Sequence, residues 1–319
     1  MIEWMQDQFS VVQQWLFETV VQPIAFELGA GNLLEDAYNG TGWLVMGLLQ
    51  IVVLLAVIGP MQRRWPVEPL TGRRAIRVDL LYTLIHRLGL FKLVMFFTAE
   101  NWLESGIGQL RTQGLPTFHL DQLWPGVTDG ALVSFVIYLV LFDFVNYWYH
   151  RAQHQFNWWW ALHSLHHSQR QMTMWTDNRN HLLDDVLRDL LFVMIAILIG
   201  VGPGQFVALV ALSQLSESFQ HANLRLCFGR LGERLWVSPR FHRLHHSIGI
   251  GHESHGSGTL GGYNFGVLLP WWDMLFGTAN FEQRYDATGV RDQVERQRNY
   301  GDGFWSQQWL GVKRLFGRA

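Results

Sequence analysis

The sequence predicts an all-α protein: an integral membrane helical bundle carrying a cytoplasmic, histidine-rich cap shaped for two metal ions. Three observations carry that expectation. Charged residues make up only 16% of the chain, against roughly 25% in soluble proteins, so too few are present to coat a water-facing surface. Several apolar runs approach the roughly 20 residues that a helix needs to cross the hydrocarbon core. Histidines stand in tight groups at the ends of those runs, at spacings that match one face of a helix. The net charge of −2 and the lack of a basic stripe exclude nucleic acid as a partner. A single cysteine, Cys227, rules out a disulfide framework and a thiolate metal cage.

The elements follow in order. The first forty residues hold no Lys or Arg, so they lack the basic start of a signal peptide. "GWLVMGLLQIVVLLAVIG", Gly42 to Gly59, carries no charge and reads as the first span. The stretch from Val78 to Thr98 is apolar but holds Asp79, His86, Arg87 and Lys92. "GALVSFVIYLVLF" from Gly130 leads into the first histidines, and the runs from Leu190 and Gln205 flank the turn "GVGPG" as a hairpin. About five membrane-crossing or deeply embedded helices are therefore expected. Basic residues favour the cytoplasmic side. Arg63, Arg64, Arg73, Arg74 and Arg77 follow the first span, and residues 222–319 hold twelve Lys and Arg. Placing the Arg63–Arg77 loop in the cytoplasm and threading the spans alternately puts residues 100–128 outside and every histidine group inside. The final stretch ends in a Trp/Leu/Phe stripe with basic residues, which suits an interfacial helix or one packed on the domain.

Nine histidines form the chemistry-bearing constellation: His150 and His154 (H-x3-H), His163, His166 and His167 (H-x2-H-H), His221, and His242, His245 and His246 (H-x2-H-H again). Each group should converge on one side of its helix. Neutral imidazole suits Zn, Cu, Fe and Ni. One tetrahedral ion takes about four ligands, so nine exceed one site and suit a dinuclear centre. No carboxylate lies within the groups. Charge on the metals would then be balanced from outside by Asp143, Asp177, Asp184, Asp185 or Glu217. Glu217, four residues before His221, is also a possible direct ligand, and His181, followed by Asp185, a backing residue or ligand. A pH sensor would not need the repeated spacing, transmembrane haem ligation wants paired histidines inside spans, and the H-E-x-x-H of zinc proteases is absent. His86 reads as a buried polar contact and His119 as incidental. His252 and His255 fall in a Gly/Ser-rich loop. Trp158, Trp159 and Trp160 read as interface anchors or as core. Arg151 and Arg243, each following a histidine, would pair acidic neighbours, anchor a headgroup or snorkel.

Four strings, "DFVNYWYHRAQH" (Asp143–His154), "HSLHH" (His163–His167), "SPRFHRLHHS" (Ser238–Ser247) and "YNFGVLLPWWDMLFGT" (Tyr263–Thr278), resemble the fatty acid hydroxylase/sterol desaturase superfamily over roughly residues 130–280. The resemblance implies an integral membrane, non-haem di-iron oxygenase that hydroxylates or desaturates an unactivated C–H bond of a lipid, fatty acyl, sterol-like or related. It implies iron ligation by His150, His154, His163, His166, His167, His242, His245 and His246, and matches His221 to a lone histidine that members carry. Zinc would also fit such a site. The implied co-reactants are O2 and two electrons from a separate NAD(P)H-linked donor, cytochrome b5-like or ferredoxin-like, since no fused donor domain is recognisable. Asp143, Tyr147 and Arg151 match the pattern around the first group, and Asn264, Trp272 and Asp273 the terminal signature. Asp143, His181, Asp185, Glu217, Asn264 and Asp273 would back the ligands. Two positions depart from the pattern. Gly262 stands where an acidic residue is usual, and "HLLDD" (His181–Asp185) lacks the usual proline. The implied division is residues 1–129 as N-terminal membrane helices, 130–280 as the catalytic domain and 281–319 as a cytoplasmic tail. Two other readings compete: a membrane metal-binding scaffold without catalysis, and an enzyme of the acyl-CoA desaturase type, whose first histidine group is usually a residue longer than H-x3-H.

Overall fold

The computed structural model describes residues 2–248 and 262–318, and among them every regular element is helical. His252 and His255 lie outside the described residues. Helix α1 begins at Ile2–Leu16 and continues through Gln22–Glu27. Helix α2 spans Gly31–Arg64, α3 spans Arg73–Arg87 and α4 spans Leu90–Thr112. Helix α5 runs Ala131–Gln155, α6 Asn157–His167, α7 Leu182–Ile199 and α8 Pro203–His221. Two shorter helices complete the site and the tail: α9, Pro239–His245, and α10, Phe304–Leu315.

Two helices, α2 and α5, are long and apolar enough to cross a membrane. A third crossing results if α3 and α4 are one span, bent by 52° at their break. Gly89 makes that break, with φ at +74°, a backbone region open mainly to glycine. The expectation was of about five membrane-crossing or deeply embedded helices; α7 and α8 fall short of the crossing composition because of their charged and polar residues. Helix α7 carries Asp184, Asp185, Arg188 and Asp189, and α8 carries Gln205, Gln214, Glu217 and Gln220. The two do form the expected hairpin, turning at Gly200 with φ +69°. Large apolar residues stay exposed along α2 (Leu48, Val52, Leu55), α4 (Val94, Phe97) and α5 (Leu132, Val136), an outward face that lipid would cover. The protein is an integral membrane protein.

Backbone chemistry shapes α2 near its end. Its turn Leu54–Ile58 widens to the i→i+5 pattern just before Gly59–Pro60. Pro60 has no N–H to give and its ring crowds the preceding carbonyls, so the wider turn relieves a conflict. Leu54 and Ile58 of that turn pack with Met174, Ala222 and Leu224. A second core joins Tyr138 and Phe142 of α5 to Ala196 of α7 and Leu209 of α8. Helices α2 and α3 touch at Gly47, where a β-carbon would sit 1.6 Å from the Arg87 carbonyl oxygen.

The tail is docked, not free. Helix α10 packs on α6 and α3, with Gly311 flat against the His181 ring, and Trp160 closes over Val290 and Tyr300. Its outer face still exposes Trp305, Trp309 and Phe316. The packed reading of the terminal stripe thus holds for its inner face.

Candidate metal centre

The histidines come from four helix ends. His150 and His154 occupy the last turns of α5, 19 and 23 residues from its start at Ala131, so His150 lies close to 30 Å along the axis at about 1.5 Å per residue. That equals the usual hydrocarbon thickness. Phe156, in extended conformation, reverses the chain so that α6 folds back over these turns. His221 ends α8, and α9 brings the last three. Ser238 starts α9 by accepting from the Phe241 N–H, with Pro239 in the first helical position, where its missing N–H costs nothing. Buried Glu233 holds this cap, accepting from the Ser238 hydroxyl at 2.8 Å and from Arg240 Nε at 2.9 Å.

All nine rings are buried and form two groups, each with ligand atoms within 4.8 Å of one another. The first joins His150, His154, His163, His167 and His245; the second joins His166, His221, His242 and His246. The groups abut: the His167 and His246 rings stack with centroids 4.2 Å apart. Each H-x2-H-H does bring its rings together on one side, but its members divide between the two groups. His163 and His167, one turn apart, share the first group while His166 goes to the second. His242 and His246 share the second while His245 goes to the first. Positions i and i+4 lie close together on a helix, and the residue between them is turned toward the neighbouring group.

Ring orientation is set by the partners of the other nitrogen. His150 Nδ1 meets the Phe265 carbonyl at 2.9 Å, His245 Nδ1 the Tyr263 carbonyl at 2.7 Å, and His221 Nδ1 the Glu217 carbonyl at 2.7 Å. His163 Nδ1 lies 3.5 Å from Asp184 Oδ2. An Nδ1–H given to oxygen leaves Nε2 with its lone pair facing inward. In the second group the Nε2 atoms crowd: His166 to His221 is 3.1 Å, His221 to His242 is 2.9 Å and His242 to His246 is 3.1 Å. Neighbouring ligands at right angles around an ion about 2.1 Å away lie about 3.0 Å apart. In the first group, Nε2 of His150, His163, His167 and His245 is buried without a hydrogen-bond partner. The donor set therefore fits one metal ion per group, with imidazole nitrogen as the ligand type. Burial, then the neighbouring rings, holds His166, His167, His242 and His246 well below the usual imidazole range. Burial also pushes His245 down to about 3. The rings are neutral, as ligation requires.

The residues expected to back the ligands separate into distinct roles. Asp273 accepts from the Phe265 and Gly266 N–H groups at 2.8 and 2.7 Å and so steadies the peptide whose carbonyl meets His150. Asn264, at φ +60°, ties this segment to the Phe241 and Asn280 carbonyls. Asp143 anchors the same loop from α5, accepting from Leu268 N, Leu269 N and Trp272 Nε1, and none of its hydrogen bonds reaches a histidine. Glu217 gives its carboxylate to Arg188 at 3.1 Å; its backbone oxygen, not its side chain, meets His221. His181 caps α7: Nδ1 accepts from Leu183 N and Nε2 meets the Gln308 carbonyl, so both nitrogens are engaged away from the two groups. Asp185 lies 3.3 Å from His86. His119 is half exposed beside Asp121.

Two expectations gain specific partners. Asp184 gathers Tyr149 OH at 2.8 Å, Gln153 Nε2 at 2.7 Å and Trp159 Nε1 at 2.7 Å beside His163. The three tryptophans separate: Trp158 is exposed, Trp159 binds Asp184 and Trp160 is core. Neighbouring cations are structural. Arg243 pairs with Glu68 at 2.6 Å, and Arg151 donates to Tyr147 and lies over Trp148.

A helical membrane bundle whose helix ends bury two adjoining all-histidine groups has the donor set of a membrane protein that could hold two metal ions. Residues 135–278 match the model of the fatty acid hydroxylase family, so this part of the chain is similar to the fatty acid hydroxylase/sterol desaturase superfamily. It is 26% identical over 238 residues to the ornithine lipid hydroxylase OlsE of Rhizobium tropici, covering 74% of this chain and 67% of that protein. It is 28% identical over 138 residues to the alkylglycerol monooxygenase of Xenopus tropicalis, covering 43% of this chain and 28% of that one. A very-long-chain aldehyde decarbonylase of Oryza sativa is 27% identical over 179 residues, 51% of this chain and 25% of the relative. The match thus spans two thirds of the first relative's length and less than a third of the other two. No solved structure matches the chain.

Proposed function

We propose that the protein is a di-iron lipid oxygenase that hydroxylates or desaturates an unactivated C–H bond, using O2 and two electrons from a separate NAD(P)H-linked donor of the cytochrome b5 or ferredoxin kind. The observation that carries this reading is the division of nine buried histidines into two abutting groups of five and four, beside the similarity to an ornithine lipid hydroxylase and an alkylglycerol monooxygenase. Bound iron would supply the activation of O2. In hydroxylation one oxygen atom enters the lipid and the other leaves as water, consuming two electrons and two protons.

The chain's own residues then have definable tasks. The carbonyls of residues 263, 265 and 217, and Asp184 beside His163, hold the imidazoles in the tautomer that points Nε2 inward. Burial of all nine rings excludes bulk water, which limits stray protonation and leakage of electrons. A cavity of about 50 Å³ reaches His150, His163, His166, His221 and His242. It adjoins a larger one of about 170 Å³ with an apolar wall that includes Phe142, Phe192 and Phe206, suited to a lipid chain.

We place the centre on the cytoplasmic side. The basic loop after α2 folds onto the histidine-bearing half: Val67 N and Glu68 N donate to Asn223, and Gly72 N donates to Gln171. Basic-loop orientation then carries the site with it. We keep residues 1–129 as the membrane anchor, 130–280 as the catalytic unit and 281–319 as a cytoplasmic tail. Metal analysis of the purified chain coupled to O2 uptake tests the function. About two irons per chain, O2 consumption and a lipid heavier by one oxygen in cells, lost in His163→Ala, are expected. One zinc per chain without turnover would favour the scaffold reading.

A further inference from the structure

The loop that orients His150 also runs deep along a helix long enough to cross the membrane. Residues 265–276 leave the level of the rings and come back to it, and their contacts with α5 trace the path. The Phe265 carbonyl meets His150. Leu268 and Leu269 donate their N–H groups to Asp143, and with Val267 they pack on Leu139 and Val140. Trp272 then returns to Asp143 and Phe144, and Phe276 to Tyr147 and Trp148. Asp143 and Leu139 precede His150 by seven and eleven residues, so the turn lies about 10–16 Å farther along the span at about 1.5 Å per residue. That is about a third to a half of the hydrocarbon core. Irregular backbone is tolerated at such depth only where protein satisfies its polar groups. Here Asp143 takes the Leu268 and Leu269 N–H groups, and Asp273 takes those of Phe265 and Gly266. The Val267 carbonyl accepts from Gln220 Nε2 at 2.7 Å, and the Leu268 carbonyl accepts from Val237 N at 2.9 Å. The only charge between Tyr263 and Thr278 is Asp273, which is fully buried. The outward face is apolar and uncovered: Trp271 and Met274 are each 39% exposed and Leu275 is 69% exposed.

We propose that residues 265–276 form a re-entrant segment inserted into the leaflet on the histidine side, with Trp271, Met274 and Leu275 against acyl chains. Lipid is the occupant of this face because of where the segment lies. Val136 and Trp148 of α5, on either side of the contact in sequence, are themselves exposed, so the lipid-facing surface of the span continues onto the loop. A protein partner would have to reach into the bilayer to cover it. Asp143 and Asp273 then have a second task beyond steadying the peptide before His150: they carry non-helical backbone into the membrane. This inference goes beyond the oxygenase reading and does not depend on turnover.

The test uses the full chain in phosphatidylcholine nanodiscs and a nitroxide spin label. The label is placed on Leu275→Cys in a Cys227→Ser background, and on the exposed native Cys227 of the unsubstituted chain as the water-facing reference. Collision rates with O2, which concentrates in hydrocarbon, and with a water-soluble nickel chelate give the depth of each label. At residue 275 the label should lie about 10 Å or more beneath the lipid phosphates, with O2 favoured and nickel excluded, whereas at Cys227 nickel should collide freely. Ready collision with nickel at residue 275 overturns the proposal and leaves the face open to water or to a protein partner. Should Leu275→Cys fail to accumulate, Met274→Cys carries the label in its place, with the same two outcomes. A deep label on a chain that consumes no O2 sinks the oxygenase reading alone. A nickel-accessible label on a chain that oxidises lipid sinks this one alone.

Discussion

Asp184 sits where three donors and His163 meet. A carboxylate in that position orients the ring. Its replacement by Asn should weaken metal binding about 10- to 100-fold, read by titration against a competing chelator. Glu217 provides the contrast. Its backbone oxygen serves His221 while its carboxylate serves Arg188, so Glu217→Gln should leave metal affinity unchanged. Loss of metal in that variant would show that the carboxylate itself is a ligand. The aspartates of "HLLDD" are neighbours in sequence with separate partners: Asp184 lies beside His163 and Asp185 beside His86. Composition alone does not separate them, because adjacent positions on a helix point about 100° apart and only packing assigns each direction.

At the scale of elements, contact between helices depends on single small residues and single caps. Gly47→Ala would force a methyl group into the Arg87 carbonyl and should part α2 from α3, lowering the thermal midpoint by several degrees or preventing accumulation. Gly106 of α4 has open space around it. Gly106→Ala should be neutral or stabilising, since alanine is favoured over glycine in a helix by roughly 1 kcal/mol. Equal destabilisation by both would count against the close α2–α3 approach. Ser238→Ala removes the cap of α9 and strips Glu233 of one donor. It should cost about 0.5–2 kcal/mol and, because α9 carries three of the nine rings, should also loosen metal retention in a chelator challenge.

For the whole molecule, the side of the membrane is the open quantity, and the chain supplies its own probe. Cys227 is exposed and is the only cysteine, six residues beyond His221. A membrane-impermeant thiol reagent should label it in inside-out vesicles and spare it in intact cells. Labelling from the outer face would reverse the orientation derived from Arg63 to Arg77. The span count carries the same lesson at this scale. Apolar runs in α7 and α8 look membrane-crossing when read alone. Yet their histidine-side ends carry charge: Asp185, Arg188, Asp189 and Glu217 all line the larger cavity.

How much was legible beforehand follows from the range of the forces involved. Helical periodicity and the chemistry of imidazole are local, so the all-helical membrane class, the nine histidines and their fitness for two metals could be read from spacing alone. The division into five and four could not, because it depends on how α6 and α9 cross, which sends His166 and His245 to the group opposite their neighbours. The carbonyls of Tyr263 and Phe265 carry no residue-type signal at all, and they reach the rings only through a loop held by Asp143 and Asp273 from distant positions. The amino-acid sequence by itself determined which atoms can bind metal and that they lie at helix ends. Tertiary packing decided how they are shared and oriented, and which carboxylates line the cavity, because those outcomes arise from contacts between residues far apart in the chain.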